Sequence, residues 1–248
     1  MSQDQIVRRR SFLTVALYTI IAVLFGAFGL HPASAQTPKP TAQGDVYVEF
    51  LIGDRTEETR KWGHVSLRVV GAGSERIFDF GRYGKMWGRK DSAEGDPMLR
   101  VWKPGQFGTY RQHHLKDGGT TKRFRFNSTP ERNAHILAFF ARMTDGAPVF
   151  GSNAQFTMYK ANYPTFHAVK VNCTTVTIDA FMKGFPEYNL NDTRFAEARS
   201  LQWYMRGEAE GFIYDKDERH WTRIWWPLDL MALLDSYASK GLVQASPL

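Results

Sequence analysis

The chain has little cysteine: one residue, Cys173, among 248. A single thiol cannot form a disulfide within the chain, and a zinc or iron–sulfur site built on cysteine would need ligands that the chain lacks. Hydrophobic residues make up 43% of the chain and aromatic residues 14%, which excludes disordered, collagen-like and low-complexity classes. A chain of this length can bury a sizeable core without cross-links. The lone thiol therefore needs an explanation other than a disulfide.

The N-terminus has the three parts of a cleavable export signal. Arginines at positions 8–10 precede an apolar stretch at 12–30, and the small-residue sequence Ala-Ser-Ala ends at Ala35. We expect residues 1–35 to be removed and residues 36–44 to form a flexible tether. The arginines followed by Ser-Phe-Leu resemble the twin-arginine export motif, with an ordinary secretory signal as the alternative. The expected location is the periplasm, and the alternative is an inner-membrane anchor formed by residues 12–30.

The excess of basic residues bears on the kind of partner. The full chain has a formal net charge of +7, and removing residues 1–35, which carry three arginines and Asp4, leaves +5. Nucleic acid is not expected as the partner of an exported protein. The charge instead fits contact with anionic lipid at a membrane surface, contact with a cell-wall polymer, or a solubilising surface.

Apolar periodicity predicts an α+β fold. Strands are predicted at 45–53, 64–70, 76–80 and 122–126, with a glycine-bearing turn at 71–74 that makes the second and third strands an antiparallel hairpin. Helices are predicted at 130–145, around 195–205 and at 227–241. Segment 81–119 gives only a strand hint at 99–102. Without a repeat or a linker after Gly44, residues 45–248 are expected to form one α+β domain, an antiparallel sheet packed with helices.

The lone thiol stands where boundary signals predict the start of a helix. Five β-branched residues at 174–178 favour a strand, but Asn172 is a good N-cap and Gly184 suits a helix end. If the helix begins at Cys173, the positive end of its dipole stabilises the thiolate and lowers the pKa of the thiol. The alternative is an inert buried cysteine.

A nucleophilic cysteine also needs a base within hydrogen-bond reach, and His64 is the candidate among the histidines. It begins an apolar strand, and Gly63 before it leaves room for a close approach. The alternative is a strand histidine held by a backbone carbonyl.

Two motifs together carry a resemblance to a known family. Gly-His-Val-Ser-Leu-Arg-Val at 63–69 and Asn-Cys-Thr-Thr at 172–175 resemble the circularly permuted papain-like thiol hydrolases, relatives of the NlpC-type cell-wall peptidases. More narrowly they resemble the Lnb N-terminal periplasmic domain family. In the permuted enzymes the histidine strand precedes the cysteine helix, as it does here. The resemblance covers two short motifs within 46–184 and implies a permuted papain-like architecture.

The resemblance also implies roles for individual residues. Cys173 would be the nucleophile and His64 the general base and acid. A polar residue on the following strand would orient the imidazole, and Asp79 is the candidate, although a register slip of one residue would turn it to the other face. The backbone N–H of Cys173, with Asn172 contributing, would supply the oxyanion hole. No cofactor is expected.

Two other clusters have structural explanations. His113 and His114 are a candidate metal pair, but adjacent residues of a strand face opposite sides and no third ligand is spaced nearby, so no metal site is expected. The tryptophans at 221, 225 and 226, with Arg219 and Arg223 between them, fit core and cation–π packing better than a membrane or glycan platform.

The sequence thus predicts an exported cysteine-dependent hydrolase or acyltransferase acting on an amide or ester. Its substrate would lie in the cell envelope, either a peptidoglycan peptide or an acylated lipid or lipoprotein. The alternative is a non-catalytic periplasmic binding or scaffolding module on the same fold.

Overall fold

The computed structural model describes residues 46–53, 63–71, 73–81, 94–115, 121–168, 170–196, 214–215 and 220–248. All of them belong to one compact unit of the chain. The predicted export signal, the tether and the alternative anchor at 12–30 lie outside these residues. Within the described part of the chain, no helix is long and apolar enough to cross a membrane.

The described residues form an α+β structure around an eight-stranded antiparallel sheet. Its strands are β1 (Tyr47–Gly53), β2 (His64–Gly71), β3 (Ser74–Gly81), β5 (Met98–Trp102), β6 (Thr121–Asn127), β7 (Val149–Ser152), β8 (Phe156–Lys160) and β12 (Gln244–Pro247). Across the sheet they lie in the order β12-β6-β1-β2-β3-β5-β8-β7. Two short ladders pair β4 (Glu94–Gly95) with β9 (Phe166–His167) and β10 (Tyr214–Asp215) with β11 (His220–Trp221). The antiparallel sheet and its predicted hairpin are confirmed.

Helices cover the two faces of the sheet unequally. The helices are α1 (Phe107–Leu115), α2 (Pro130–Thr144), α3 (Cys173–Gly184) and α4 (Pro227–Ser239), and a 3₁₀ turn spans Thr193–Phe195. On β2, Val65, Leu67 and Val69 point into the main core together with α2, α3 and α4. The residues that alternate with these along the strands point to the opposite face of the sheet, where Tyr110 of α1 packs in a smaller core. The sheet therefore separates α1 from the other three helices.

Local signals explain where α2 begins. Thr129 is its N-cap, and the Thr129 hydroxyl accepts a hydrogen bond from the backbone N–H of Arg132 at 3.3 Å. Pro130 fits the first turn, where its missing N–H has no helical partner to lose. The buried face of α2, which includes Ile136 and Phe140, packs on β2 and α3. The predicted start at residue 130 is confirmed.

The structure adds to the sequence-based prediction at one place and corrects it at another. In segment 81–119, β5 confirms the strand hint at 99–102, and the structure adds α1, which the sequence pattern does not indicate. His113 lies on α1, so the assumption that it belongs to a strand was wrong. At the start of the helix expected around 195–205, the described residues form a 3₁₀ turn, Thr193–Phe195; positions 197–205 lie outside the described residues.

Candidate active site

The thiol of Cys173 is carried by the first residue of α3. Asn172 caps the helix: its side-chain oxygen accepts from the backbone N–H of Thr175, and the Thr175 hydroxyl accepts from the backbone N–H of Asn172, both at 3.0 Å. This reciprocal cap, together with burial of the helix in the main core, overrides the strand preference of the β-branched run. The predicted helix start is confirmed, and it places the sulfur at the positive end of the helix dipole.

The side-chain amide of Asn172 ties the start of α3 to its surroundings. Its nitrogen donates to the carbonyls of Ala168 at 2.7 Å and Trp225 at 3.0 Å. Since the backbone N–H of Asn172 is bonded to Thr175, every N–H of this residue is engaged within the fold. The oxyanion contribution expected of Asn172 therefore has no free donor in this conformation. The N–H of Cys173 lies in the first turn, where the helix itself supplies no acceptor.

His64 is positioned by the residue before it. Gly63 has a φ of +70°, and a Cβ there would lie 3.1 Å from both the Gly53 carbonyl oxygen and the Cβ of Pro227. Only glycine fits this backbone conformation without strain and leaves room for these neighbours. This close approach brings the start of β2, where His64 is the first residue, next to Pro227, the first residue of α4.

Asp79 reaches His64 because of the register of the β2–β3 hairpin. Leu67 pairs with Phe78, and one further step along this register sets Ser66 opposite Asp79. His64 and Ser66 share a face of β2, so Asp79 is the diagonal cross-strand neighbour of His64. The Nε2 atom of His64 is hydrogen-bonded to the Asp79 carboxylate. The side chain of His64 is 13% exposed and that of Asp79 is 2% exposed.

The imidazole of His64 also interacts with the half-buried thiol of Cys173, and each group shifts the pKa of the other. Burial works against a charged imidazole, but the charge of Asp79, the hydrogen bond to it and the contact with Cys173 raise the pKa of His64 to about 10. Burial also disfavours the thiolate, yet the hydrogen bond and charge of His64, helped by the backbone of Val65, lower the pKa of Cys173. The two shifts have opposite directions and favour a thiolate–imidazolium pair.

Two further residues of the site were missed by sequence reasoning. The Ser66 hydroxyl lies 3.2 Å from Nε2 of His64, and the Tyr110 hydroxyl donates to it at 2.7 Å. Ser66 could have been found from its position two residues after His64, which puts both on one face of the strand. Tyr110 lies on α1, a helix that the sequence pattern did not reveal.

The other sequence candidates lie away from this site or in the core. Trp225 and Trp226 are 0% and 2% exposed and pack edge to face, which confirms the core interpretation for these two tryptophans. Arg219 and the side chain of Trp221 lie outside the described residues. Among the residues that the structure describes, no group of three or more His, Cys, Asp or Glu side chains could hold a metal ion.

Comparison of the chain with family models, curated proteins and solved structures found no match. A helix start and two neighbouring strands bring together Cys173, His64 and Asp79, three side chains of the types that covalent acyl transfer uses.

Proposed function

We propose that the protein is an exported cysteine-dependent hydrolase or acyltransferase that acts on an amide or an ester. One observation carries the proposal: the Cys173 thiol, at a helix N-terminus, interacts with His64, which is hydrogen-bonded in turn to Asp79. A thiolate stabilised by a neighbouring imidazolium is the form of cysteine that attacks carbonyl carbon. The carboxylate holds the imidazole in one orientation and one tautomer.

The bond from Nε2 to Asp79 supports different roles for the two ring nitrogens of His64. Because Asp79 is bonded at Nε2, proton exchange with the thiol falls to Nδ1. The Cys173 thiolate forms a bond to the carbonyl carbon, and the carbonyl oxygen becomes an oxyanion. As the tetrahedral intermediate collapses, the C–N or C–O bond breaks and Nδ1 gives its proton to the leaving amine or alcohol. A thioester on Cys173 remains.

The second half of the reaction regenerates the thiolate. Neutral His64 accepts a proton at Nδ1 from water, or from an acceptor amine or alcohol, as that group attacks the thioester carbonyl. Collapse of the second tetrahedral intermediate breaks the C–S bond and releases acid, amide or ester. The backbone N–H of Cys173 and the helix dipole are the groups placed to stabilise both oxyanions.

The order of the elements supports a permuted papain-like architecture. The histidine strand β2 precedes the cysteine helix α3 in the chain, and α3 packs on β2 and β3. This order fits the relationship to the permuted papain-like thiol hydrolases and the Lnb N-terminal periplasmic domain family proposed from the motifs. With the export signal predicted at 1–35, the substrate class that fits is an envelope amide or ester, either a peptidoglycan peptide or an acylated lipid or lipoprotein.

The proposal can be tested with a generic acyl donor. Incubation with a p-nitrophenyl ester should release a burst of nitrophenol stoichiometric with protein, and intact-mass analysis with peptide mapping should locate the acyl group on Cys173. Cys173→Ala should show neither, and His135→Ala, which removes an exposed histidine on α2, should behave as the parent protein. Absence of the adduct in the parent protein, or the same adduct in Cys173→Ala, would favour the non-catalytic module.

A further inference from the structure

The Nε2 atom of His64 faces a second polar partner besides Asp79. The Ser66 hydroxyl oxygen lies 3.2 Å from Nε2, and the Tyr110 hydroxyl donates to that oxygen at 2.7 Å. Ser66 is 0% exposed and Tyr110 is 1% exposed. Two buried hydroxyl groups therefore lie in a row at Nε2, the ring nitrogen that is not assigned to proton exchange with Cys173 in the proposed mechanism.

The hydrogen-bonding capacity of a hydroxyl group determines how Ser66 acts. A serine oxygen has two lone pairs and one hydrogen. One lone pair accepts from Tyr110, and the other is available to the N–H at Nε2 when His64 is protonated. Ser66 is then a weaker, second acceptor beside the Asp79 carboxylate. Both acceptors favour the same tautomer, the one that keeps the proton on Nε2.

Tyr110 is held in place independently of the strands that carry the other residues. It belongs to α1, on the sheet face opposite the main core. Its ring meets the Trp102 ring edge to face with a centroid distance of 5.2 Å. This packing fixes the hydroxyl group, and Tyr110→Phe would remove the hydroxyl while leaving the ring contact in place.

We propose that Ser66 and Tyr110 are positioning residues for the reaction: they hold the His64 imidazole at Nε2, so that Nδ1 stays directed at the Cys173 thiol. The inference rests on the proposed function of Cys173 and His64 and adds α1 to the elements that maintain the site. Tyr110 acts only through Ser66, and Ser66 acts only through His64. Neither residue touches the substrate in this account.

The test compares the pH dependence of Cys173 alkylation by iodoacetamide in the parent protein, Ser66→Ala and Tyr110→Phe. Loss of an acceptor for the protonated imidazole should shift the midpoint of the thiolate profile upward by about half to one pH unit. Alkylation rates at pH values well above this midpoint should be unchanged. Tyr188→Phe is the matched control, because it removes another buried phenolic hydroxyl, which is bonded to the Leu242 carbonyl at 3.4 Å and to none of the residues of this site. Its profile should not shift.

The double variant Ser66→Ala/Tyr110→Phe separates positioning from a general loss of stability. Because Tyr110 acts through Ser66, the double variant should shift the profile no further than Ser66→Ala alone. Thermal unfolding identifies any variant that fails to fold. If Ser66→Ala does not fold, the profile of Tyr110→Phe, the milder change, decides the test. Unshifted profiles in folded Ser66→Ala and Tyr110→Phe would overturn this inference. If His64→Ala also left the profile unchanged, the proposed function itself would fail.

Discussion

The side-chain amide of Asn172 donates to the carbonyl of Trp225 at 3.0 Å, joining residues 53 positions apart in the chain. The same amide nitrogen donates to Ala168, and the side-chain oxygen caps α3. One buried side chain thus ties the start of the cysteine helix to the segment before it and to the segment that enters α4. The position of the thiol therefore depends on the Asn172 contacts with Ala168 and Trp225 as well as on α3.

Asn172→Ala should destabilise the protein more than loss of a helix cap alone. It removes the cap bond to Thr175 and leaves the carbonyls of Ala168 and Trp225 without their donor, for a loss of about 2–4 kcal/mol in the free energy of unfolding. Thr129→Ala, which removes the cap bond of α2 at an exposed position, is the matched control and should cost about 1 kcal/mol. Urea unfolding measures both losses, and equal losses would contradict the tying role of Asn172.

Gly63→Ala should disturb the site as well as the fold. The added Cβ would meet the Gly53 carbonyl and Pro227 at 3.1 Å, in a backbone conformation that is already strained for any other residue. Gly73→Ala is the control, because Gly73 has a similar φ of +73° with nothing within 4 Å of a Cβ. Gly73→Ala should lose about 1 kcal/mol of unfolding free energy. Gly63→Ala should lose more and also slow Cys173 alkylation, whereas equal losses with normal alkylation would show that Gly63 does not position His64.

Asp79→Asn should reduce the reactivity of the thiol near neutral pH. The amide has nearly the same shape as the carboxylate but no charge, so the pKa of His64 falls and the thiolate loses its cationic partner at lower pH values. The midpoint of the alkylation profile should rise by about one pH unit or more. Asp235→Asn removes a carboxylate from the half-exposed ion pair with Lys122 and should leave the profile unchanged. An unchanged alkylation profile in Asp79→Asn would show that the Asp79 charge does not support ionisation of the Cys173 thiol.

The shifted pKa values of His64 and Cys173 should leave a signature in stability against pH. The folded pKa of His64 is raised from 6.5 to about 10, so its contribution is complete below pH 6.5 and is lost as the pH rises toward 10. The folded pKa of Cys173 is lowered from 9.0, so its contribution is present above pH 9.0 and is lost as the pH falls through the folded value. At pH values above both 6.5 and the folded pKa of Cys173, the two slopes cancel up to pH 9.0.

The measurable quantity is the unfolding free energy of the parent protein minus that of His64→Ala/Cys173→Ala. This difference should fall as the pH rises from 9.0 toward 10, because His64 then still holds in the folded state a proton that it has lost in the unfolded chain. Chemical unfolding over this pH range measures it. A difference that stays constant above pH 9.0 would contradict the raised pKa of His64.

Local sequence signals predicted the parts of the site that depend on neighbouring residues. The start of α3 followed from Asn172 and Gly184, because helix caps are local. Asp79 could be named only as a candidate, since its facing depends on a strand register that Leu67 and Phe78 set through the core. Tyr110 could not be predicted, because α1 lacks a clear apolar face and has no acidic residue in its first turn. Its contact with Ser66 exists only once α1 has packed on the sheet.

The central claim is that His64 ionises the Cys173 thiol. The pH dependence of iodoacetamide alkylation measures this ionisation directly. In the parent protein, Cys173 should react rapidly well below pH 8.5, about the pKa of an unperturbed thiol. In His64→Ala this advantage should disappear, whereas His135→Ala should keep it. Alkylation only at alkaline pH, unchanged by His64→Ala, would contradict the account.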